Sequence, residues 1–237
     1  SGNAQAGPDW ISRGRAMTSP IRNGLSATAL ALALLALPVA AQAQSATADA
    51  ILTGATTEQG LLPVHVDRQG GRVFLTLPAP DVEGLSGRFL YATQLRTGIG
   101  SAPIGLDHAQ FGPTQLLVFR RIGGKVAIQF ENPRFRTTGG TAEEQAAART
   151  SFAYSTAWLG DVVATYPDGR ILIDISGFLT QDVMGIARQL GSAGGSFRQD
   201  SGLSVADAAA TRVFPDNLVF EALQTYASDN PGDEVSN

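Results

Sequence analysis

Apolar and polar residues alternate over most of the chain between residues 60 and 230, and this period of two predicts strands rather than helices. The run GLLPVHVDRQGGRVFLTLP holds two apolar stretches joined by RQGG at residues 68–71. In QLLVFRRIGGKVAIQFE the joining pair is GG at 123–124, and in DVVATYPDGRILIDIS it is PDG at 167–169. Short turns of this composition connect antiparallel neighbours, so each run predicts a β-hairpin.

Helical patterns are few. Thr141 and Glu144 have the spacing of a capping box ahead of EEQAAARTSFAYS. Thr180 is placed to cap QDVMGIARQL, with Gly191 as the residue that ends the helix. The run NLVFEALQTYA is compatible with a last strand or a short helix. We therefore predict an α+β fold of mainly antiparallel β-hairpins and sheet with about two short helices.

Residues 17–43 have the order of a secretory signal peptide. Arg22 precedes the uncharged run LSATALALALLALPVA, which ends at the small-x-small sequence Ala41-Gln42-Ala43. The run is short for a bilayer span and no charged stop sequence follows it, which disfavours the alternative of a membrane anchor. We expect cleavage after Ala43 and export to the periplasm or the outside of a bacterial cell.

The predicted signal peptide sets the boundaries of the other segments of the chain. Residues 1–16 are expected to be an upstream translated segment outside the fold. The small polar residues 44–59 predict a linker, and residues 60–230 predict one domain with a core of its own. The polar end, residues 231–237, follows a strand-like run without a closing element, and we expect it to be a truncation.

Composition narrows the function classes. The chain has no cysteine, which excludes disulfides and thiol chemistry. Without its first 43 residues, which hold three Arg and one Asp, it keeps 14 Lys and Arg against 20 Asp and Glu. An acidic chain is a poor partner for nucleic acid, and no basic run favours an anionic membrane surface. We therefore expect no nucleic-acid partner and no membrane contact after cleavage of the leader.

The stretch TQLRTGIGSAPIGLDHAQFGP, residues 93–113, holds four glycines and two prolines. Its Gly98-Ile99-Gly100 begins like a dinucleotide-binding fingerprint, but Pro103 stands where the third glycine belongs and no helix pattern follows. A long surface loop that needs glycine dihedrals is the simpler interpretation.

Residues with catalytic chemistry are sparse. The two histidines, His65 in a strand pattern and His108 beside Asp107, are too few for a zinc site, and we expect His65 at a surface or pocket edge. No GxSxG elbow is present. Turn solvation accounts for the carboxylates near the third hairpin, and a half-buried strand accounts for the basic residues of NPRFR, although an acid-binding site remains an alternative there. The residues are Asp161, Asp168, Asp174, Arg134 and Arg136.

The order of several motifs resembles the N-terminal domain of unknown function found in large bacterial zinc-dependent metalloproteases of the metzincin-like type. In that family a strand leads into a TGxGS…GLD loop, then a Val-Phe-Arg strand and a hairpin that ends in Asn-x-x-aromatic-Arg. The opening hairpin and the block SFAYSTAWLGDVVATYPDGRILIDISGFLTQDV also fit, so the resemblance covers roughly residues 58–230. The matching positions are Thr97, Gly98, Gly100, Ser101, Gly105, Leu106, Asp107, Val118, Phe119, Arg120, Asn132, Phe135 and Arg136.

The resemblance implies a module without catalytic, cofactor-binding or metal-binding residues of its own. The zinc motif of the family, HExxHxxGxxH, belongs to a separate C-terminal domain, and this chain contains no HExxH. We therefore expect a non-catalytic N-terminal module of an exported zinc metalloprotease, itself inactive, whose partner is the metallopeptidase domain of the same polypeptide. The first alternative is a free-standing exported β-rich binding protein, and the second is a small hydrolase that uses carboxylates.

If the chain evolved against a partner domain, part of its apolar surface should face that partner. We expect the last strand-like run and the glycine-rich stretch to contribute. The residues are Leu218, Val219, Phe220, Leu223, Ile99, Ile104 and Phe111.

Overall fold

A computed structural model of the chain describes residues 47–131, 140, 141, 143, 144, 147 and 154–235. Strands dominate this part of the chain, and every pairing between them is antiparallel. The strands are β1 (Thr56–Glu58), β2 (Val64–Asp67), β3 (Arg72–Leu77), β4 (Leu85–Tyr91), β5 (Gln115–Ile122), β6 (Lys125–Glu131), β7 (Ser155–Thr165), β8 (Ile171–Asp174), β9 (Ser196–Val213) and β10 (Leu218–Asn230).

Eight of these strands form one sheet in the order β1-β2-β3-β8-β7-β6-β5-β4, and β9 and β10 form a separate hairpin. The three hairpins predicted from the sequence are confirmed, because β2 pairs with β3, β5 with β6 and β7 with β8 across the predicted turns. The pairing of β3 with β8 joins the first and third of these hairpins, and Phe74 lies opposite Asp174 there. The run NLVFEALQTYA is a strand and not a helix, since it lies within β10.

The two faces of the sheet follow from the alternation of side chains along each strand. On one face, here called the inner face, Val64, Leu75, Ile128 and Ile173 belong to a single apolar core. The β9–β10 hairpin closes this core, with Ala206 and other small or apolar side chains packed against it. A second face, the outer face, carries Phe74 and Leu172 in the middle of the sheet, packed against Ala48 and Ala164.

The predicted linker over residues 44–59 is wrong for its described part. Residues 47–51 are helical, and Ala48 is completely buried against the outer face. Residues Thr56–Glu58 form the edge strand β1 on β2. Apolar contact with Phe74 therefore overrides the polar composition of this segment. The predicted signal peptide, residues 17–43, and the upstream segment 1–16 lie outside the described residues.

The helix predicted after Thr180 is shorter and begins later than expected. Two short helices, Ser176–Leu179 and Ile186–Leu190, occupy this region, and the second ends at Gly191 as predicted. The Asp182 carboxylate, rather than Thr180, accepts the first main-chain hydrogen bonds, from the N–H groups of Ile186 at 2.7 Å and Ala187 at 2.9 Å. A carboxylate is the stronger acceptor for these N–H groups, so it sets the start of the helix.

The capping box predicted at residue 141 is present. The main-chain N–H of Thr141 donates to the Glu144 carboxylate at 2.9 Å, and the N–H of Glu144 donates to the Thr141 hydroxyl at 3.3 Å. The rest of that predicted helix lies largely outside the described residues. In the described part of the chain, no helix combines the length and the apolar composition that a bilayer crossing requires.

Candidate functional site

The glycine-rich stretch is the long loop expected from the sequence, and its two halves are bonded to each other beyond the β4–β5 pairing. Here we call residues 92–114 the β4–β5 arm. Main-chain hydrogen bonds join Gly112 to Thr93 at 2.8 Å, Leu95 to Gln110 at 2.8 Å, and Ile99 to Leu106 at 3.0 Å. Its two halves therefore run antiparallel far beyond the end of β4, and the main chain satisfies many of its own polar groups.

Apolar contacts and one glutamine anchor the arm to the rest of the molecule. Ile104 and Leu106 are 3% and 4% exposed and pack with Ile186 and Leu190 in a small core separate from that of the sheet. The side-chain amide of Gln189 donates to the carbonyls of Ile104 at 3.0 Å and of residue 105 at 3.1 Å. Two polar contacts also connect the arm to the end of the chain, Arg96 with Glu221 and Ser101 with Glu234.

The glycines of the family-like motif have structural reasons in this arm. A Cβ on Gly98 would lie 2.5 Å from the main-chain nitrogen of His108, so no other residue fits without a shift of the backbone. Gly105 has a φ of +69°, a left-handed conformation that side chains disfavour. Leu106 of the same motif fills the small core. These positions build the arm and do not present chemistry to a ligand.

The arm carries exposed apolar side chains next to its anchored ones. Ile99 and Phe111 are 47% and 71% exposed, as expected for an interaction surface, whereas Ile104 is buried and that expectation is wrong. On β10, Val219 and Leu223 are exposed, at 41% and 63%. Leu218 and Phe220, also expected on the interaction surface, are instead partly buried against the core of the sheet.

The two histidines differ in their surroundings. His108 is exposed on the arm. His65 is only 6% exposed, which corrects the surface position expected from the sequence. Its Nδ1 lies 2.8 Å from the hydroxyl of Thr57 and its Nε2 lies 2.8 Å from the hydroxyl of Thr76, whose oxygen is 3.4 Å from the Tyr166 hydroxyl. Burial lowers the pKa of His65 from its ordinary value.

The three carboxylates of the third hairpin have separate structural partners. Asp168 lies in the β7–β8 turn and binds Arg170 through its main-chain N–H and its guanidinium, which lowers the pKa of the carboxyl. Asp161 pairs with Lys125 at 2.5 Å in an exposed ion pair. Arg134 and Arg136 lie outside the described residues, so their acid-binding alternative stays open.

The third of these carboxylates, Asp174, joins β3 to β8 in a way that no sequence pattern predicts. Asp174 accepts hydrogen bonds from Arg72 Nε at 2.9 Å and from the Ser176 hydroxyl at 2.6 Å. The Ser176 oxygen in turn accepts the main-chain N–H of Val73 at 2.9 Å. Because Arg72 and Asp174 are 102 residues apart in the chain, only the β3–β8 pairing reveals this network.

Among the residues that the structure describes, no three His, Asp or Glu side chains are grouped so that they could hold a metal ion.

The fold and the arm define a β-rich domain in which an antiparallel sheet is covered by a long hairpin. A family model described as a domain of unknown function, DUF5117, matches residues 109–237, and the chain belongs to this family. No curated protein and no solved structure matches the chain. The matched residues begin inside the β4–β5 arm and include β5 to β10, so β1 to β4 complete the sheet from outside the match.

Proposed function

We propose that this chain is the non-catalytic N-terminal module of an exported bacterial zinc-dependent metalloprotease, and that it contacts the metallopeptidase domain of the same polypeptide. The β4–β5 arm is the observation that carries the proposal. Its motif residues resemble that protein class, and the structure uses them for the arm itself: Gly98 for close backbone approach and Leu106 for the small core. Motif residues with a structural role of this kind suit a docking element better than a catalytic one.

The exposed part of the arm supports a contact with a protein partner. Phe111 and Ile99 are large apolar side chains held on a backbone that Gln189 and the Arg96–Glu221 pair fix in place. Apolar side chains on a rigid support lose little conformational entropy on binding, which is the property of an interface anchor. The contact would extend from the arm towards β10, where Val219 and Leu223 are exposed.

Zinc belongs to the proposed metallopeptidase domain and not to this chain. The buried His65 has both ring nitrogens 2.8 Å from threonine hydroxyls, so neither nitrogen is free to bind a metal ion. His108 lies on the arm, far from this position in the sheet order. The residues present do not fit a zinc site.

The first test is the reading frame downstream of Asn237 in the gene. We expect it to continue into a domain with an HExxH motif, and a stop codon within a few residues would contradict the proposal. The second test uses that metallopeptidase domain, produced separately and titrated with this chain by calorimetry. Phe111→Ser should weaken the association about tenfold or more, by roughly 1.4 kcal/mol, because it removes an anchor.

Ile122→Ser is the matched control, because Ile122 is 55% exposed but lies at the end of β5 opposite to the arm. We expect its association to match that of the parent chain. Equal weakening by both substitutions would show that apolar exposure in general, and not the arm, drives the contact.

A further inference from the structure

A cleft opens where two neighbouring strands of the sheet separate. β7 has 11 residues, and β6 pairs with it over residues 155–161. β8 pairs with β7 only from Val162 onward, because the chain leaves the sheet after Asp174 and enters the helix Ser176–Leu179. The first half of β7 and the start of this helix therefore face each other across a cleft of about 340 Å³.

Beside this cleft, one edge of β7 is covered by no described strand. The N–H of Val162 donates to the Gly124 carbonyl on the β6 side at 2.9 Å. Main-chain direction alternates along a strand, so residues 160 and 162 face β6, and Leu159 faces the opposite side. No described strand pairs with Leu159 on that side. The N–H and C=O of Leu159 therefore form an open edge in the middle of the sheet.

The indole of Trp158 lies at the floor of the cleft between two glycines. A Cβ on Gly160 would lie 1.8 Å from Cη2 of the ring, so the ring occupies the space that a side chain would take. A Cβ on Gly177 would lie 3.2 Å from the indole Nε1. The indole N–H has no hydrogen-bond partner among the described residues, and its edge borders the cleft that it lines. It is a fixed, available donor beside the open strand edge.

The opposite wall is rigid and close to neutral. The Asp174 carboxylate binds Arg72 at 2.9 Å and also the main-chain N–H of Ser176 at 2.9 Å, and the Ser176 hydroxyl holds β3. Asp161 at the mouth is paired with Lys125. Because each carboxylate has a cationic partner, the lining suits an uncharged polar ligand better than a phosphate or another strong anion.

We propose that this cleft binds an extended peptide segment, which adds a short strand to β7 at Leu159. The peptide main chain exchanges hydrogen bonds with the N–H and C=O of Leu159 and presents a carbonyl to the indole N–H of Trp158. Recognition by strand addition depends on main-chain groups, and the neutral, preformed walls match that requirement. The inference stands apart from the proposed contact of the arm, which involves other residues.

The test uses the fluorescence of Trp158. The sequence has two tryptophans, so Trp10→Phe in every variant leaves Trp158 as the reporter. The probe is the neutral peptide acetyl-Thr-Val-Thr-Val-Thr-amide, and its matched control is the same peptide N-methylated at alternate residues. We expect a saturable emission change with a Kd on the order of 1 mM or tighter for the first peptide, and none for the second.

Two variants of Leu159 distinguish the role of its main chain from that of its side chain, and a variant of Gly177 tests the indole contact. Leu159→Pro removes the N–H on the open edge of β7 but none that faces β6, and proline is tolerated where the N–H has no ladder partner. It should weaken binding at least tenfold, roughly 1.4 kcal/mol. Leu159→Ala keeps the N–H and should bind like the parent. Gly177→Ala places a methyl group 3.2 Å from the indole nitrogen and should also weaken binding, which keeps the test decisive if the proline variant does not fold.

Three results would overturn the inference. The first is equal binding of the two peptides, which would exclude main-chain recognition. The second is no response of Trp158 to the peptide. The third is a response to glucose but not to the peptide, which would make the cleft a sugar site.

Discussion

The inner and outer faces of the eight-stranded sheet are both covered around β3 and β8 but by different chemistry. The inner face is apolar throughout its buried core, from Val64 to Ile173, and the β9–β10 hairpin covers it. The outer face mixes Phe74 and Leu172 with the hydrogen-bonded His65 and Thr76, and residues 47–52 contribute to its cover. An apolar face tolerates any cover that excludes water, whereas a polar buried face requires each donor and acceptor to keep its partner.

The largest effect is expected on the inner face. Ile173 is completely buried in the core that joins β3, β8 and β7, so Ile173→Ala should lower the free energy of unfolding by about 2–5 kcal/mol. Urea unfolding followed by circular dichroism measures it. The control is Leu90→Ala on the edge strand β4, where the side chain is 81% exposed and the change should stay within about 0.5 kcal/mol.

A smaller loss is expected from a polar substitution on the outer face. Thr76→Val keeps the shape of the side chain but leaves the Nε2 of His65 without its partner at 2.8 Å. A buried group that loses its partner costs about 1–3 kcal/mol. Thr53→Val, at an exposed threonine that bonds its own helical turn, is the control. If Thr76→Val unfolds at the same urea concentration as the parent, the polar chain does not stabilise the outer face.

Acidification should act on the outer face alone. The pKa of His65 is lowered in the fold, so the unfolded chain takes up the proton first. The contribution of His65 to stability is therefore complete above its ordinary pKa of 6.5 and is lost as the pH falls below that value. Thermal unfolding between pH 7.5 and pH 5, with His65→Gln and His108→Gln, measures the effect.

With two histidines in the sequence, imidazole resonances can be assigned from these same variants. His65→Gln should remove most of the stability change in this pH window, and His108→Gln should leave it as in the parent. An imidazole of His65 that titrates at or above 6.5 would contradict the sign of the prediction.

The smallest effect is expected outside both faces. Arg198 and Asp229 form an ion pair of 3.0 Å on the β9–β10 hairpin, with side chains 66% and 90% exposed. Water and salt screen such a pair, so Arg198→Ala should change the free energy of unfolding by less than about 0.5 kcal/mol. A loss comparable to that of Thr76→Val would mean that the hairpin depends on surface charge rather than on its contacts with the inner face.

Local features of the fold could be predicted from the sequence, and distant ones could not. The three hairpins followed from turns whose residues are adjacent, and the capping box of Thr141 and Glu144 spans four residues. No local sequence pattern predicts the pairing of β3 with β8, because it depends on which apolar strands meet when the chain collapses. For the same reason residues 47–58 resembled a linker, since their burial depends on Phe74 and Leu172.

The candidate site shows the same limit. The glycines of the arm were recognisable as positions with backbone constraints, but the atoms that impose the constraints were not. Gln189, which holds the arm, is 85 residues away from Ile104 in the chain. The cleft beside Trp158 was invisible, because it results from the different lengths of β7 and β8 and not from any motif.

The joining of β3 to β8 also bears on the order in which the chain can fold. Arg72 and Asp174 are 102 residues apart, so strands β1 to β3 can associate with the rest of the sheet only after β8 has been made. Closing so long a loop is entropically unfavourable until many contacts form together, and proteins rich in such contacts fold slowly. During synthesis β2 and β3 emerge long before β8, with unpaired strand edges that can associate with other chains. The eight-stranded sheet is therefore expected to form late in synthesis, once the strands up to β8 have been made.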